Sequence, residues 1–180
     1  ASFYESLTPR QRDGIDGVAM DMWAPYIEAT VLVLPNPREK IVFDRFHIMG
    51  HIGKAVDLVR RQEHRALLAS DDDTLKGTKY LWLYNEENVP EQHRSLFERL
   101  RGFNLKVGRA WALKESLRCM WTYLREGAAR RFFQRWFYWA SHSRLKPVIA
   151  VAHMLRRHLD GIVTYCRHLI TNGVAEGLNS

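Results

Sequence analysis

Cysteine is scarce in this chain: two in 180 residues, Cys119 and Cys166, far apart and in no C-x-x-C pair. That usage points to a reducing, cytosolic compartment rather than a disulfide-built fold. Long apolar runs are lacking as well, so nothing approaches the length needed to span a bilayer, and no signal peptide opens the chain. There is no fixed-period repeat and no low-complexity segment. Proline is sparse, six residues in all, and each stands where a helix begins or breaks. Acidic residues are the minority charge, 20 against 27 lysines and arginines, for a net +7 and a pI near 9.6. Such a balance favours a polyanionic partner, nucleic acid first. Hydrophobic residues at 46% and aromatic residues at 12% specify a packed globular protein of ordinary domain size and exclude a disordered one.

Two short apolar runs organise the first third. Val18-Ala19-Met20 and Ile41-Val42-Phe43 each end in an aspartate, Asp21 and Asp44. Between them Trp23 to Leu34 has helical character, with Pro25 in its first turn and Pro35-Asn36-Pro37 closing it. Strand, helix, strand in this order is the pattern of a βαβ unit with parallel, buried strands. Ligands and catalytic groups in such units gather just past the carboxyl ends of the strands, where both aspartates stand. The plainer alternative is that each caps the helix that follows it. Phe3 to Ile15 reads as helix interrupted by Pro9, and Ile48, Ile52, Val56 and Val59 space a helix over 47–68. Ser70 to Asp73 is a solvated turn, and Lys76 to Asn85 a loop followed by a short piece, extended or helical.

Beyond Pro90 the pattern is helical nearly to the end. Helices are predicted over 91–101, closed by Gly102; over 105–126, closed by Gly127; and over 128–141, 146–159 and 162–170. This half holds most of the basic excess, from Arg109 and Lys114 through Arg156, Arg157 and Arg167, with few balancing acids. Within it Arg130, Arg131, Arg135, Trp136 and Trp139 interleave base and aromatic. Placed on a helix, Phe132, Trp136 and Trp139 share a face. That face either stacks on unpaired bases, with the arginines on phosphates, or packs into a helical core with the arginines solvated. His47 and His51 stand at i and i+4, the spacing of helical zinc ligands. Zinc would need a third donor, with Asp44 or His64 the nearby options, and a His/Asp metal hydrolase is the reading that would follow.

The closing stretch, Thr171 to Asn179, carries Asn172, Glu176 and Asn179 at i, i+4 and i+7, on one face if helical. Gly17 to Tyr26, then Ile41 to His47, then Thr171 to Asn179, in this order and with the Gly77 to Leu83 stretch between, resemble the ISL-three family of bacterial insertion-sequence transposases. The resemblance covers essentially the whole chain. It implies an α/β, predominantly helical fold: a partial RNase H-like core with a large all-α insertion, divided as residues 1–60 of the core, 61–168 of the insertion, and 169–180 of a core helix with the last acidic residue. It implies DNA strand cleavage and strand transfer by three acidic residues that hold divalent metal, Mg²⁺ or Mn²⁺, two ions in the intact enzyme. Matched motif by motif, Asp21 is the second aspartate and Glu176 the glutamate, both metal ligands. Asp44 and His47 form a D-x-x-H element beside the active site, with Asn172 and Asn179 flanking Glu176. The implied partners are double-stranded DNA, both transposon ends and target, and a second copy of the intact protein. No membrane is implied; the expected setting is the bacterial cytoplasm, on the nucleoid when DNA is bound.

The family chemistry fits these residue types. Two metal ions about 3.5–4 Å apart activate the attacking oxygen and stabilise the leaving one, and a hard cation such as Mg²⁺ prefers carboxylate oxygens. The sequence departs from the family pattern in one respect. The first aspartate of the three belongs on a strand well before Asp21, and Asp13 and Asp16 are wrongly placed to replace it. The chain also opens without methionine and stops at Ser180 without a tail-like composition. The expectation is a fragment, cut at both ends, that does not cleave DNA alone; a non-catalytic DNA-binding or dimerising helical remnant is the alternative.

Overall fold

In the computed structural model, residues 2–170 are described. The chain begins with two short helices, α1 (Ser2–Glu5) and α2 (Pro9–Asp13). The break at Pro9 is a helix start: Thr8 accepts from the Gln11 N–H and the Gln11 side chain accepts from the Thr8 N–H, a reciprocal cap. Then come β1 (Val18–Met20), α3 (Ala24–Val33), a short α4 (Pro37–Lys40) that the sequence did not announce, and β2 (Ile41–Phe43). The two strands pair in parallel, with Val18 opposite Ile41, Ala19 opposite Val42 and Met20 opposite Phe43. The βαβ reading therefore holds. All of β2 is buried, as a strand covered on both faces requires.

Mostly helical chain follows: α5 (Arg45–Leu68), α6 (Lys79–Leu83), α7 (Glu91–Arg101), α8 (Lys106–Arg118), α9 (Glu126–Ser141), α10 (Lys146–Arg157), α11 (Leu159–Val163) and α12 (Tyr165–His168). The short piece before Asn85 is helical. The helix predicted over 105–126 instead stops at Arg118, passes through a 3-10 turn, Cys119–Thr122, and restarts at Glu126, with Gly127 in its first turn. Cys119, Trp121, Thr122 and Tyr123 are all weak helix formers, and their sum permits the break. The helix predicted over 162–170 is likewise two pieces. Thr164 donates its hydroxyl to the Asp160 carbonyl at 2.8 Å, the back-bonding that bends helices.

The chain forms two compact units. One comprises Ala1–Ile48, Trp121–Arg131 and Leu155–Ser180 and contains the sheet. Its interior includes Met20, Leu34, the whole of β2, Ile162 and Val163. Gly161 on α11 lies directly against Phe43; a Cβ there would stand 2.5 Å from the ring. The Phe43 ring also meets the His158 ring edge-on, centroids 5.2 Å apart. Tyr4 on α1 and Thr30 on α3 share a hydrogen bond of 2.8 Å. Arg130 pairs with Asp160, Arg167 pairs with Glu126, and the Cys166 thiol donates to the Tyr123 carbonyl, so α11 and α12 are stapled to the start of α9.

The second unit comprises Met49–Met120 and Phe132–Met154 and is all helical among the described residues. Trp82, Phe97 and Trp111 form an edge-to-face chain at its centre, with centroid spacings of 5.4 and 5.1 Å. Helix α8 has Leu105 at its N-cap with no capping side chain. The Glu63 carboxylate of α5 supplies the cap from 43 residues away, accepting from the Lys106 N–H at 2.7 Å and the Val107 N–H at 2.8 Å. The buried Lys114 ammonium does the converse for α6, donating to the Leu83 and Tyr84 carbonyls at its carboxyl end. Burial pushes the Lys114 pKa down, while the ion pair with Glu115 opposes that shift. Arg118 grips Glu87, and that bond holds the Glu87 carboxyl down to about 2.

Candidate functional site at the carboxyl end of the sheet

The parallel pairing brings the residues after β1 and β2 side by side. The Asp44 N–H donates to the Met20 carbonyl at 2.9 Å, carrying the ladder one step past the strands. The two aspartates then differ. Asp44 is 2% exposed. It is the residue before α5, its Oδ1 accepts from the Phe46 N–H at 2.6 Å, and its carbonyl accepts from the Ile48 N–H. It caps α5, as the plainer sequence reading had it. Asp21 caps nothing. The N-cap of α3 is Trp23, which makes no capping bond. Half-buried, Asp21 has no hydrogen bond or ion pair with any of the described residues.

Asp21 opens onto a depression of about 600 Å³. Met20 and Thr30 help line it, Phe3 and Tyr26 are exposed within it, and His47, on the first turn of α5, lines it together with Asp21. An uncommitted carboxylate at a strand end is the donor a hard divalent cation takes. The donor chemistry of Asp21 therefore fits the metal implied by the resemblance, whereas Asp44 is already spent on a helix terminus. Among the described residues no three histidine, cysteine, aspartate or glutamate side chains cluster closely enough to hold a metal ion by themselves. Glu176, Asn172 and Asn179 lie outside the described residues.

The sequence grouped five basic and aromatic positions as DNA-facing, and the structure sets them in different environments. Trp136 is a core residue, 2% exposed, and its indole N–H donates to the Leu113 carbonyl at 2.9 Å. The buried stripe of α9 is Ala129, Phe133, Trp136 and Ala140, spaced i, i+4, i+7, i+11, so Trp139, 46% exposed, does not share the environment of Trp136. Arg130 is held by Asp160, while Arg131 and Arg135 are exposed. His51 is exposed on α5. Trp23, Tyr26 and Arg45 received no role from the sequence, although a tryptophan at an N-cap, where serine, threonine, aspartate and asparagine are preferred, was a readable signal.

Comparison with known proteins sets this geometry in a family. The family model of the ISL-three DDE type, described as "Transposase", matches residues 1–180. The transposase for insertion sequence element IS1001 of Bordetella parapertussis is 28% identical over 182 residues, covering 99% of this chain and 44% of that protein. The transposase for insertion sequence element IS1557 of Mycobacterium tuberculosis is 24% identical over 201 residues, covering 99% of this chain and 45% of that protein. The chain thus spans somewhat under half the length of these curated relatives. No solved structure matches. No described helix is long and apolar enough to cross a membrane. Matched from end to end, the chain belongs to the ISL-three family of DDE transposases.

Proposed function

We propose that this chain carries part of the catalytic core of a DNA transposase that cleaves DNA at the ends of its insertion sequence and joins them to a target. In this reading the unit containing the sheet is part of an RNase H-like core, and the all-helical unit is an insertion into it. The observation that carries the reading is Asp21: a carboxylate uncommitted among the described residues, at the carboxyl end of a parallel strand, opening onto a depression in a chain matched throughout by a transposase family. Asp21 is a metal ligand, and Glu176 is its partner by motif. Bound Mg²⁺ or Mn²⁺ would supply the activation of the attacking oxygen and the neutralisation of the leaving one.

The chain's own residues do the positioning. Asp44 fixes the start of α5 and ties it to β1, which sets where His47 stands beside Asp21. His47 stands at the rim of the depression and orients the phosphate there. The net charge of +7 draws in the polyanionic substrate. DNA is the partner, and the active assembly contains a second copy of the protein.

The test is cleavage of DNA carrying the element's ends, in Mg²⁺, by the protein expressed from its gene as encoded. Asp21→Asn should lower the rate by more than about 100-fold, beyond the 10–100-fold typical when a group that merely orients a ligand is lost. Asp44→Asn keeps a good helix cap and should cost less than Asp21→Asn. Absence of Mg²⁺-dependent cleavage by the parent protein would sink the proposal, and full cleavage by a folded Asp21→Asn protein would sink the role of Asp21 in it.

A further inference from the structure

The unit containing the sheet has a second depression, of about 400 Å³, that shares no lining residue with the one at Asp21. Its floor is apolar: Ile27 and Val31 of α3, with Ile41 and Phe43 of β2. Arg38 of α4, Arg157 at the end of α10 and His158 line it as well. All of these residues belong to the one compact unit. A hollow of this size falls within the range of small-molecule sites, about 300–1,000 Å³.

Three basic side chains from separate stretches of chain therefore border one hydrophobic surface. Arg38 and Arg157 are exposed and make no ion pair or hydrogen bond among the described residues. Asp160, a carboxylate at the same rim, is already paired with Arg130. Packing alone does not explain the arrangement. Arginine stems often lie along apolar surface and cover it, yet Val31 stays 48% exposed here. The charge of Arg157 suits the carboxyl end of α10, which leaves Arg38 unexplained. Burial, and secondly the Arg157 charge, disfavour a proton on His158. An anion between these groups would offset their mutual repulsion, and a guanidinium is well shaped to hold a carboxylate. The floor narrows the choice further. A duplex DNA backbone offers phosphates but no apolar group to cover Ile27, Val31, Ile41 and Phe43, whereas an aliphatic chain covers them.

We propose that this depression binds a small amphipathic anion, an aliphatic chain ending in a carboxylate. The chain lies on Ile27, Val31, Ile41 and Phe43, and the carboxylate sits between Arg38 and Arg157, beside His158. The site goes beyond the transposase reading and does not depend on it.

The probe is octanoate, titrated into the protein expressed from its gene as encoded. Binding is followed by calorimetry and by the His158 ring proton in NMR spectra, identified as the imidazole signal missing from His158→Phe. Octanoate should saturate a single site and raise the pH at which the His158 ring titrates, because a neighbouring carboxylate stabilises the imidazolium. Its affinity should accordingly rise as pH falls from 7.5 to 6. Hexanoate should bind more weakly, by up to about 15-fold for the two methylenes lost, and octylamine, with the opposite charge, should not bind. Arg38→Gln and Arg157→Gln alter exposed side chains and should each weaken octanoate by about 5- to 10-fold. Val31→Glu, which places a like charge on the floor, should abolish binding. Absence of saturable octanoate binding to the parent protein overturns the proposal. So does binding that survives Val31→Glu and both arginine variants, or that leaves the His158 titration unmoved. If octanoate does not bind while Arg38→Gln weakens binding of a DNA duplex, the basic rim serves the DNA backbone and the proposal fails. Cleavage by Asp21→Asn, normal or lost, bears on the transposase reading alone.

Discussion

One substitution, glycine to alanine, should have opposite signs at two helical positions. In α11, a Cβ at Gly161 would lie 2.5 and 2.6 Å from two carbons of the Phe43 ring, closer than any real Cβ contact. The ring has no room to retreat: Phe43 is 4% exposed, meets the His158 ring, and sits in register opposite Met20. Helix α11 must therefore move away from β2. Overpacking of this kind costs about 1–3 kcal/mol, and the helix preference of alanine over glycine returns at most about 1 kcal/mol. The net expectation for Gly161→Ala is a loss of about 1–2 kcal/mol. Gly50 is exposed inside the 24-residue α5 with nothing within 4 Å of its Cβ position, so Gly50→Ala should gain about 0.5–1 kcal/mol. In urea melts followed by circular dichroism, with a slope near 2 kcal/mol/M, the Gly161→Ala midpoint should fall by about 0.5–1 M and the Gly50→Ala midpoint should rise. A Gly161→Ala protein at least as stable as the parent would refute the close packing of α11 on β2.

Two further outcomes follow from the packing. Glu63→Ala removes a carboxylate that caps two N–H groups of α8 and should cost about 2–4 kcal/mol in a urea melt, with Glu63→Gln, which keeps one acceptor, losing about half as much. Burial, aided by the nearby Arg157 charge, lowers the pKa of His158 from its ordinary 6.5. The fold therefore prefers the neutral ring, and the unfolded chain takes up the proton first. This contribution to stability should be complete above pH 6.5, diminish as pH falls through the region below it, and level off once the folded ring is protonated too. Thermal melts from pH 7.5 to 5 should show that slope, and His158→Phe should flatten it.

Much of the sheet and its surroundings was legible because short-range pattern decides them. Apolar triplets bounded by aspartates, separated by one helix, left little choice but a parallel pair. Pro25, Pro90, Pro147 and Gly102 marked helix ends through backbone chemistry that acts locally. Elements set by distant partners were not legible. Nothing near Leu105 announces that Glu63 caps α8, and nothing between Arg118 and Glu126 forces the helix to break there; weak propensity only permits it. The α9 pattern misled for a related reason. With apolar residues at 132, 133, 136, 137, 138 and 139, several faces look apolar, and only tertiary packing selects the one through Phe133 and Trp136. The two aspartates looked equivalent in sequence. Their difference, a cap at Asp44 and an uncommitted group at Asp21, arises because Trp23 rather than Asp21 starts α3.

The central claim is that Asp21 holds the catalytic metal, and its most direct test locates the metal without relying on activity. Ferrous iron substituted for Mg²⁺ in the protein expressed from its gene as encoded, with ascorbate and peroxide, cuts the backbone beside the site it occupies. Expected are cuts at the carboxyl end of β1, around Met20 to Trp23, that Mg²⁺ suppresses by competition and Asp21→Asn abolishes. Cuts centred instead on His47, His51 and His64, surviving Asp21→Asn, would contradict the claim and favour a histidine metal site.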